Sequence, residues 1–210
     1  MHRRAQSGEV DVADFHVAVV PVGKIGAEEA EVALGRAAKI LRQPFELKDA
    51  LGVPPGIEDR GRGQFRAAEL MAALRRSFAR LGRGRMVAAE GEPQAAPPRP
   101  DAIVFVTDVD LYTANAEAVF SAILAPKRMG IVSVRRLREA FYRRPADPGK
   151  QRARLTKEIV RVVARLRRMP ACSSPQCVLA PSDMLADVDI KEEKLCRACS
   201  QRLFQGTIRL

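Results

Sequence analysis

All four cysteines of the 210-residue chain fall in one stretch near its end, CSSPQC (172–177) and CRAC (196–199). The spacing is C-x4-C, a loop of eighteen residues, then C-x2-C. Two close pairs joined by a loop can wrap one tetrahedral zinc, with Cys172, Cys177, Cys196 and Cys199 as ligands. The C-x2-C half presents both sulfurs to one metal; the C-x4-C half is looser. Four thiolates close the coordination sphere and leave no position for water, so a zinc held here is structural. The other reading is four buried or disulfide-bonded cysteines. Nothing in the sequence argues for export, so reduced thiols available to metal are the expectation.

The N-terminus, MHRRAQSGEVDVADF, has basic residues but no continuous apolar run. It is not expected to be a signal peptide, and no stretch is long enough to span a bilayer. Residues 1–14 read as a flexible terminus, and the protein as cytoplasmic. A net charge of +11 invites an acidic partner: nucleic acid, an anionic surface, or an acidic protein or peptide. No compact basic run is interleaved with aromatics, so most arginines are expected on solvated helix faces and nucleic acid is weakly supported. Aromatics make up only 5% of the chain, so the core should be aliphatic.

FHVAVVPVG (15–23) is a short β-branched run closed by Pro and Gly, a buried strand. Residues 27–43 follow as a helix with apolar Val32, Ala33, Ala37, Ile40 and Leu41 at helical spacing. FELKDALGV (45–53) alternates as a second strand, and 53–63 is a loop rich in turn formers. Residues 64–81 form an amphipathic helix with Phe65, Leu70, Ala73, Leu74, Phe78 and Leu81 on its apolar side. Residues 83–100 read as a surface loop. DAIVFVTDVDL (101–111) reads as a central strand covered on both faces. AEAVFSAIL (116–124) reads either as a short helix or as irregular chain. MGIVSVRRL (129–137) is a strand, and RRPADPGK (143–150) breaks the chain before a long helix over 151–169. Strands alternating with helices predict one α/β domain across 1–210, with a mixed, mostly parallel sheet and packed helices.

On that last helix Leu155, Ile159, Val162, Leu166 and Met169 share one stripe of the 3.6-residue wheel. Arg154, Arg161, Arg165 and Arg168 share another, about a quarter turn round. Glu158 lies one turn before Arg161. There is no GxSxG, Walker loop or GxGxxG, and GRGRM (82–86) is a basic turn rather than a phosphate loop.

The helix and the cysteines together resemble the C-terminal part of the archaemetzincins, a family of the metzincin clan of zinc peptidases. That family carries HExxHxxGxxH, followed by C-x4-C-x-M and C-x2-C. The histidines hold a catalytic zinc and the cysteines a second zinc. Laid on this chain without a gap, the cysteines coincide. The histidine positions become Arg161, Arg165 and Ala171, the general-base glutamate Val162, the glycine Arg168 and the methionine Leu179. DVDLYTANAEAVF (108–120), IVSVRRL (131–137), DIKEEKLC (189–196) and DRGRGQFRAAELM (59–71) are similar to further family segments. The resemblance covers most of the chain from Phe15 onward.

It implies a metzincin-like fold with a zinc-stapled C-terminal segment: one structural zinc and no catalytic one. A guanidinium does not deprotonate and cannot ligate zinc, and valine offers no base. His2 and His16 are distant in sequence, and Asp108 and Asp110 are expected to cap turns near the strand end. The sequence reading is therefore a catalytically inactive, zinc-binding relative of a metallopeptidase with a binding or scaffold role. The alternatives are an active peptidase with unorthodox ligands and a basic nucleic-acid-binding protein. Glu158 and the acids ending the 101–111 strand are candidates to neutralise Arg161 and Arg165; otherwise an external anion would.

Overall fold

The computed structural model describes residues 15–82, 84–88 and 99–205. The terminus expected to be flexible, 1–14, lies outside them, as do 83 and 89–98 of the expected surface loop. The first element among the described residues is a fully buried strand, β1 (Val17–Val22), followed by α1 (Ala27–Leu41). β2 (Phe45–Leu47), β3 (Glu58–Asp59) and β4 (Gln64–Arg66) precede α2 (Ala67–Phe78). β5 (Arg85–Val87), β6 (Ala102–Thr107), β7 (Leu111–Tyr112), β8 (Ser121–Leu124) and β9 (Met129–Ser133) follow. The C-terminal part is helical: α3 (Pro148–Leu166), α4 (Leu185–Ile190) and α5 (Arg197–Phe204).

Six strands form the main sheet in the order β5-β2-β1-β6-β9-β8. The four inner strands run parallel, and the outer two, β5 and β8, pair antiparallel. This is the mixed, mostly parallel α/β sheet that the alternation predicts. Side-chain alternation divides the core between two faces. Val17 and Val19 of β1 and Val104 and Val106 of β6 pack with α1 and α3. Val20, Val22 and Phe105 pack with Leu70, Met71 and Leu74 of α2 on the other face. A small sheet, β3-β4-β7, sits apart from the main one. Among the described residues no helix is long and apolar enough to cross a membrane.

Several element readings are corrected. Arg85–Val87, expected within a surface loop, is an edge strand, pairing Val87 with Phe45. Gln64–Arg66, expected as the start of a helix, is a strand paired to β7, and α2 begins only at Ala67. The 116–124 segment is neither helix nor wholly irregular. Its second half is β8, which leads through a 3-10 turn at Ala125–Lys127 into its antiparallel partner β9. In each case pairing with a distant strand supplies the hydrogen bonds that local pattern could not foresee. The second strand also stops early, at Leu47, and the 129–137 strand ends at Ser133 in a 3-10 turn.

The helix α3 packs against the sheet and leads into the cysteine segment. Asp147 caps it by accepting the Lys150 N–H at 2.9 Å, with Pro148 in the first turn where its missing N–H costs nothing. Its stripe Leu155, Ile159, Val162 and Leu166 is buried against the sheet. The seat is tight: a Cβ placed on Gly130 of β9 would collide with Val162 Cγ1. Gly130→Ala should therefore cost about 1–3 kcal/mol in urea denaturation. Adding Val162→Ala to the same chain should recover part of that loss, and no recovery would show that another contact governs the seat.

Candidate metal centre and the charged cluster beside it

The cysteines are brought together by how α3 ends. The Met169 N–H returns to the Ala164 carbonyl at 2.9 Å, and Arg168 takes the left-handed conformation at φ 62°. This is the position that the resemblance gives to glycine. The turn survives with an arginine in a conformation that ordinarily costs an L-residue about 1–2 kcal/mol. Pro170 cannot continue the helix. The chain then folds on itself, with the Cys172 N–H donating to the Leu179 carbonyl and the Cys177 N–H to the Ser174 carbonyl. Cys196 is the N-cap of α5, and Cys199 lies in its first turn. The Cys196 N–H reaches across to the Cys177 sulfur at 3.4 Å.

All four are free thiols, with sulfurs within 4.8 Å of one another and Cys172 Sγ 3.7 Å from Cys196 Sγ. Sulfurs placed tetrahedrally at about 2.3 Å from zinc are separated by about 3.8 Å. The cluster is therefore of a size and chemistry that can hold one soft divalent cation. Cys177 and Cys199 are buried; Cys172 and Cys196 are half-buried. The Cys199 amide donates to the Cys196 sulfur and helps hold that thiol down to about 7. Burial pushes Cys177 and Cys199 up. A divalent cation among the sulfurs would offset their mutual repulsion and deprotonate them together.

Beside the cysteines, the polar side of α3 is far from solvated. Glu158 is fully buried. Its Oε2 accepts from Arg161 Nη2 at 2.8 Å and from Ser121 Oγ of β8 at 2.9 Å. Its Oε1 accepts from Ser182 Oγ at 3.0 Å and from the buried Lys191 ammonium at 3.3 Å. Arg161 Nη2 also donates to Ser121 Oγ. One turn earlier Arg154, 1% exposed, forks onto Asp189 at 2.6 and 2.7 Å and donates to Glu139 at 2.6 Å and to the Leu137 carbonyl. Lys157 Nζ donates to the Val188 carbonyl at 3.0 Å. Three successive buried charges on α3 thus clamp the 182–191 segment.

The expectation of solvated arginines fails at Arg154 and Arg161 for this reason. Arg165 is exposed, and its Nη1 donates to the Met169 carbonyl at 2.7 Å. Of the acids proposed to neutralise Arg161, Glu158 does so. Asp110 instead takes a bidentate bond from Arg136 at 2.6 and 2.7 Å and a bond from Gln64 Nε2 at 3.0 Å. Asp108 accepts the Lys24 N–H at 3.1 Å, a turn-capping role. Gln64, Asp110 and Arg136 each come from a segment quoted for the resemblance, and the fold draws them to one point. Asp189 and Lys191 likewise fall in the quoted DIK triplet, the one sequence signal that marked this clamp.

Val162 is buried against Gly130, Leu179 is fully buried, and Ala171 is exposed. His16, on entry to β1, faces Glu46 at 3.3 Å, and His2 lies outside the described residues. Arg161, Arg165 and Ala171, the residues that the resemblance sets at histidine positions, offer no donor that fits a metal.

Known proteins bear on this geometry. Residues 101–205 match the model described as Peptidase family M54. The chain is 28% identical over 194 residues to an archaemetzincin of Natronomonas pharaonis, covering 90% of this chain and 99% of that one. In structure it is similar to a zinc-dependent peptidase of Methanocorpusculum labreanum, with TM-score 0.75, 22% identity, and coverage of 89% of this chain and 99% of that one. It is also similar to an archaemetzincin of Methanopyrus kandleri, with TM-score 0.68, 24% identity, and coverage of 93% and 96%.

The Glu158 cluster has a consequence for pH. Burial alone would push its carboxyl up, but the Arg161 and Lys191 charges and the Arg161 and Ser121 hydrogen bonds outweigh it and hold it at about 2. The unfolded chain, with the group at 4.5, then takes up protons first. Stability contributed by Glu158 is complete above pH 4.5 and is lost as pH falls toward 2. Glu158→Gln should flatten this acid limb of the stability curve. It should also cost roughly 3–5 kcal/mol at neutral pH, since Lys191 stays buried without its counter-charge. An acid limb of unchanged slope in that variant would show that other carboxylates set it.

Proposed function

The chain belongs to Peptidase family M54, and from that premise we propose that it is a zinc-binding member without peptidase chemistry, with a binding or scaffold role. The observation that carries the reading is the arrangement around Arg161. A permanent cation occupies a histidine position of the family motif, bonded to Glu158 and Ser121. Arg165 and Ala171 occupy the other two, and Val162 stands where a general base would. Metal-assisted hydrolysis needs an open metal site and a base to activate water, and neither can be built from these side chains. The carboxylates that might have served as unorthodox ligands have other partners: Asp110 holds Arg136, and Asp108 caps a turn.

The four cysteines fit a structural zinc, with Cys172 and Cys177 from the α3 exit and Cys196 and Cys199 from α5. Such an ion would supply cross-linking of these two segments and no Lewis-acid chemistry toward a substrate, because all four positions are taken. A binding role is supported by what surrounds the cluster. β8 ends the main sheet, its outer edge unpaired among the described residues. Next to it a cavity of about 250 Å³ is lined by Phe120, Arg136, Tyr142 and the exposed Met184. An acidic peptide or protein is the partner class that suits Arg161 and Arg165 at this edge.

Metal analysis of the purified protein should find one zinc per chain, and Cys196→Ser should lower zinc content and melting temperature together. Unchanged stoichiometry in that variant would overturn the metal assignment. Incubation with a diverse peptide library, read by mass spectrometry, should show no cleavage above that of a chelator-treated control. Cleavage that disappears with chelator and returns with zinc would overturn the non-catalytic reading.

A further inference from the structure

Between the last turn of α2, the start of β6 and the turn joining β8 to β9 lies a cavity of about 350 Å³. No residue of the cysteine site or the Glu158 cluster lines it, so it is a separate place on the molecule. Its charged lining is Arg75, Lys127 and Arg128 against a single acid, Asp101: three cations minus one carboxylate, a net charge of +2. Asp101 already has partners. Its Oδ2 accepts the His16 N–H at 2.9 Å, and its Oδ1 faces the Arg128 guanidinium at 3.6 Å. Arg75 and Lys127 have no ion-pair partner among the described residues. Ile103 and Pro126 give the cavity an apolar wall.

Cations at helix ends often do no more than offset the helix dipole. Arg75, in the last turn of α2, fits that explanation. Lys127 and Arg128 do not. They close a single 3-10 turn, which has no appreciable dipole to offset. Arg128 even sits at φ 48°, a conformation that an asparagine or glycine would adopt more readily. Its guanidinium lies 6.0 Å from the Phe15 ring, which the Arg167 guanidinium also approaches at 5.9 Å, so the positive potential extends past the rim. A cavity of this volume is at the small end of ligand pockets. A phosphate monoester carries about −1.5 to −2 at neutral pH, which matches the charge of the lining. Arginine forks onto two phosphate oxygens while lysine acts as a point charge, so the two can hold one phosphate group together.

We propose that this pocket binds a phosphate-bearing ligand, held chiefly by Arg75 and Lys127. The inference does not depend on whether the protein has peptidase activity. The test is calorimetric titration of the full-length, zinc-loaded protein with inorganic phosphate and pyrophosphate. Wild type is compared with Arg75→Ala/Lys127→Ala and with Arg66→Ala, whose arginine pairs with Glu69 away from the pocket. Saturable binding to wild type and Arg66→Ala, weakened at least roughly tenfold in the double variant, is the expected result, since each charge-assisted bond is worth more than tenfold. A short single-stranded oligonucleotide that displaces pyrophosphate would name a nucleic-acid backbone as the phosphate source. Failure to displace would name a free small phosphate. No saturable binding to wild type, or equal binding to a double variant with an unchanged melting temperature, would overturn the proposal. Arg75→Ala alone gives a second reading should the double variant fail to fold.

Discussion

A carboxylate with no exposure to water must be compensated where it sits, and Glu158 is such a group. Its two oxygens gather donors from three separate parts of the chain: Arg161 of α3, Ser121 of β8, and Ser182 and Lys191 of the C-terminal segment. None of these can move far without leaving a buried charge unpaired. That penalty, more than any net gain from the pairs themselves, fixes the register of α3 against the sheet edge on one side and the 182–191 segment on the other. Arg154 repeats the device one turn earlier through Glu139 and Asp189.

This clamp explains how the last third of the protein holds its shape. The 170–196 region contains one six-residue helix and no strand, so backbone hydrogen bonds alone cannot order it. Apolar burial contributes at Val178, Leu179 and Val188. The rest is polar: the buried charges on α3 fix the middle of the region, and the four cysteines lie together where its two ends meet. The two devices adjoin, because the helix that presents Glu158 and Arg161 is the one whose exit delivers Cys172. The resemblance gives the position of Arg161 to a metal ligand. Here Arg161 is a guanidinium bonded to Glu158 and Ser121.

Much of the framework was legible beforehand. β1 and β6 announced themselves as β-branched runs; the full burial of β1 and the burial of all but Ile103 in β6 follow from lying in the middle of a parallel sheet. The three long helices were visible in their apolar spacing, with ends misplaced by a few residues. The short strands were not legible. Arg85–Val87 and Gln64–Arg66 carry no pattern of their own and are strands because β2 and β7 lie beside them. The same holds for Asp110, whose expected role as a turn cap was overridden by Arg136 arriving from twenty-six residues later.

The sequence by itself determined the four-cysteine cluster that could hold a metal, because four cysteines within one short span can hardly avoid meeting and their chemistry is intrinsic to sulfur. It also determined that no imidazole or carboxylate stands at Arg161, Val162, Arg165 or Ala171. Only the tertiary structure decided what the charged face of α3 does. Arg154, Glu158, Arg161 and Arg165 look alike on a helical wheel, yet the first two are buried, the third bridges to β8, and the last faces solvent. Their partners lie up to forty residues away in the chain. Burial of a charge is a property of the space around it, set by which distant segment packs there, and helical periodicity carries no information about that segment.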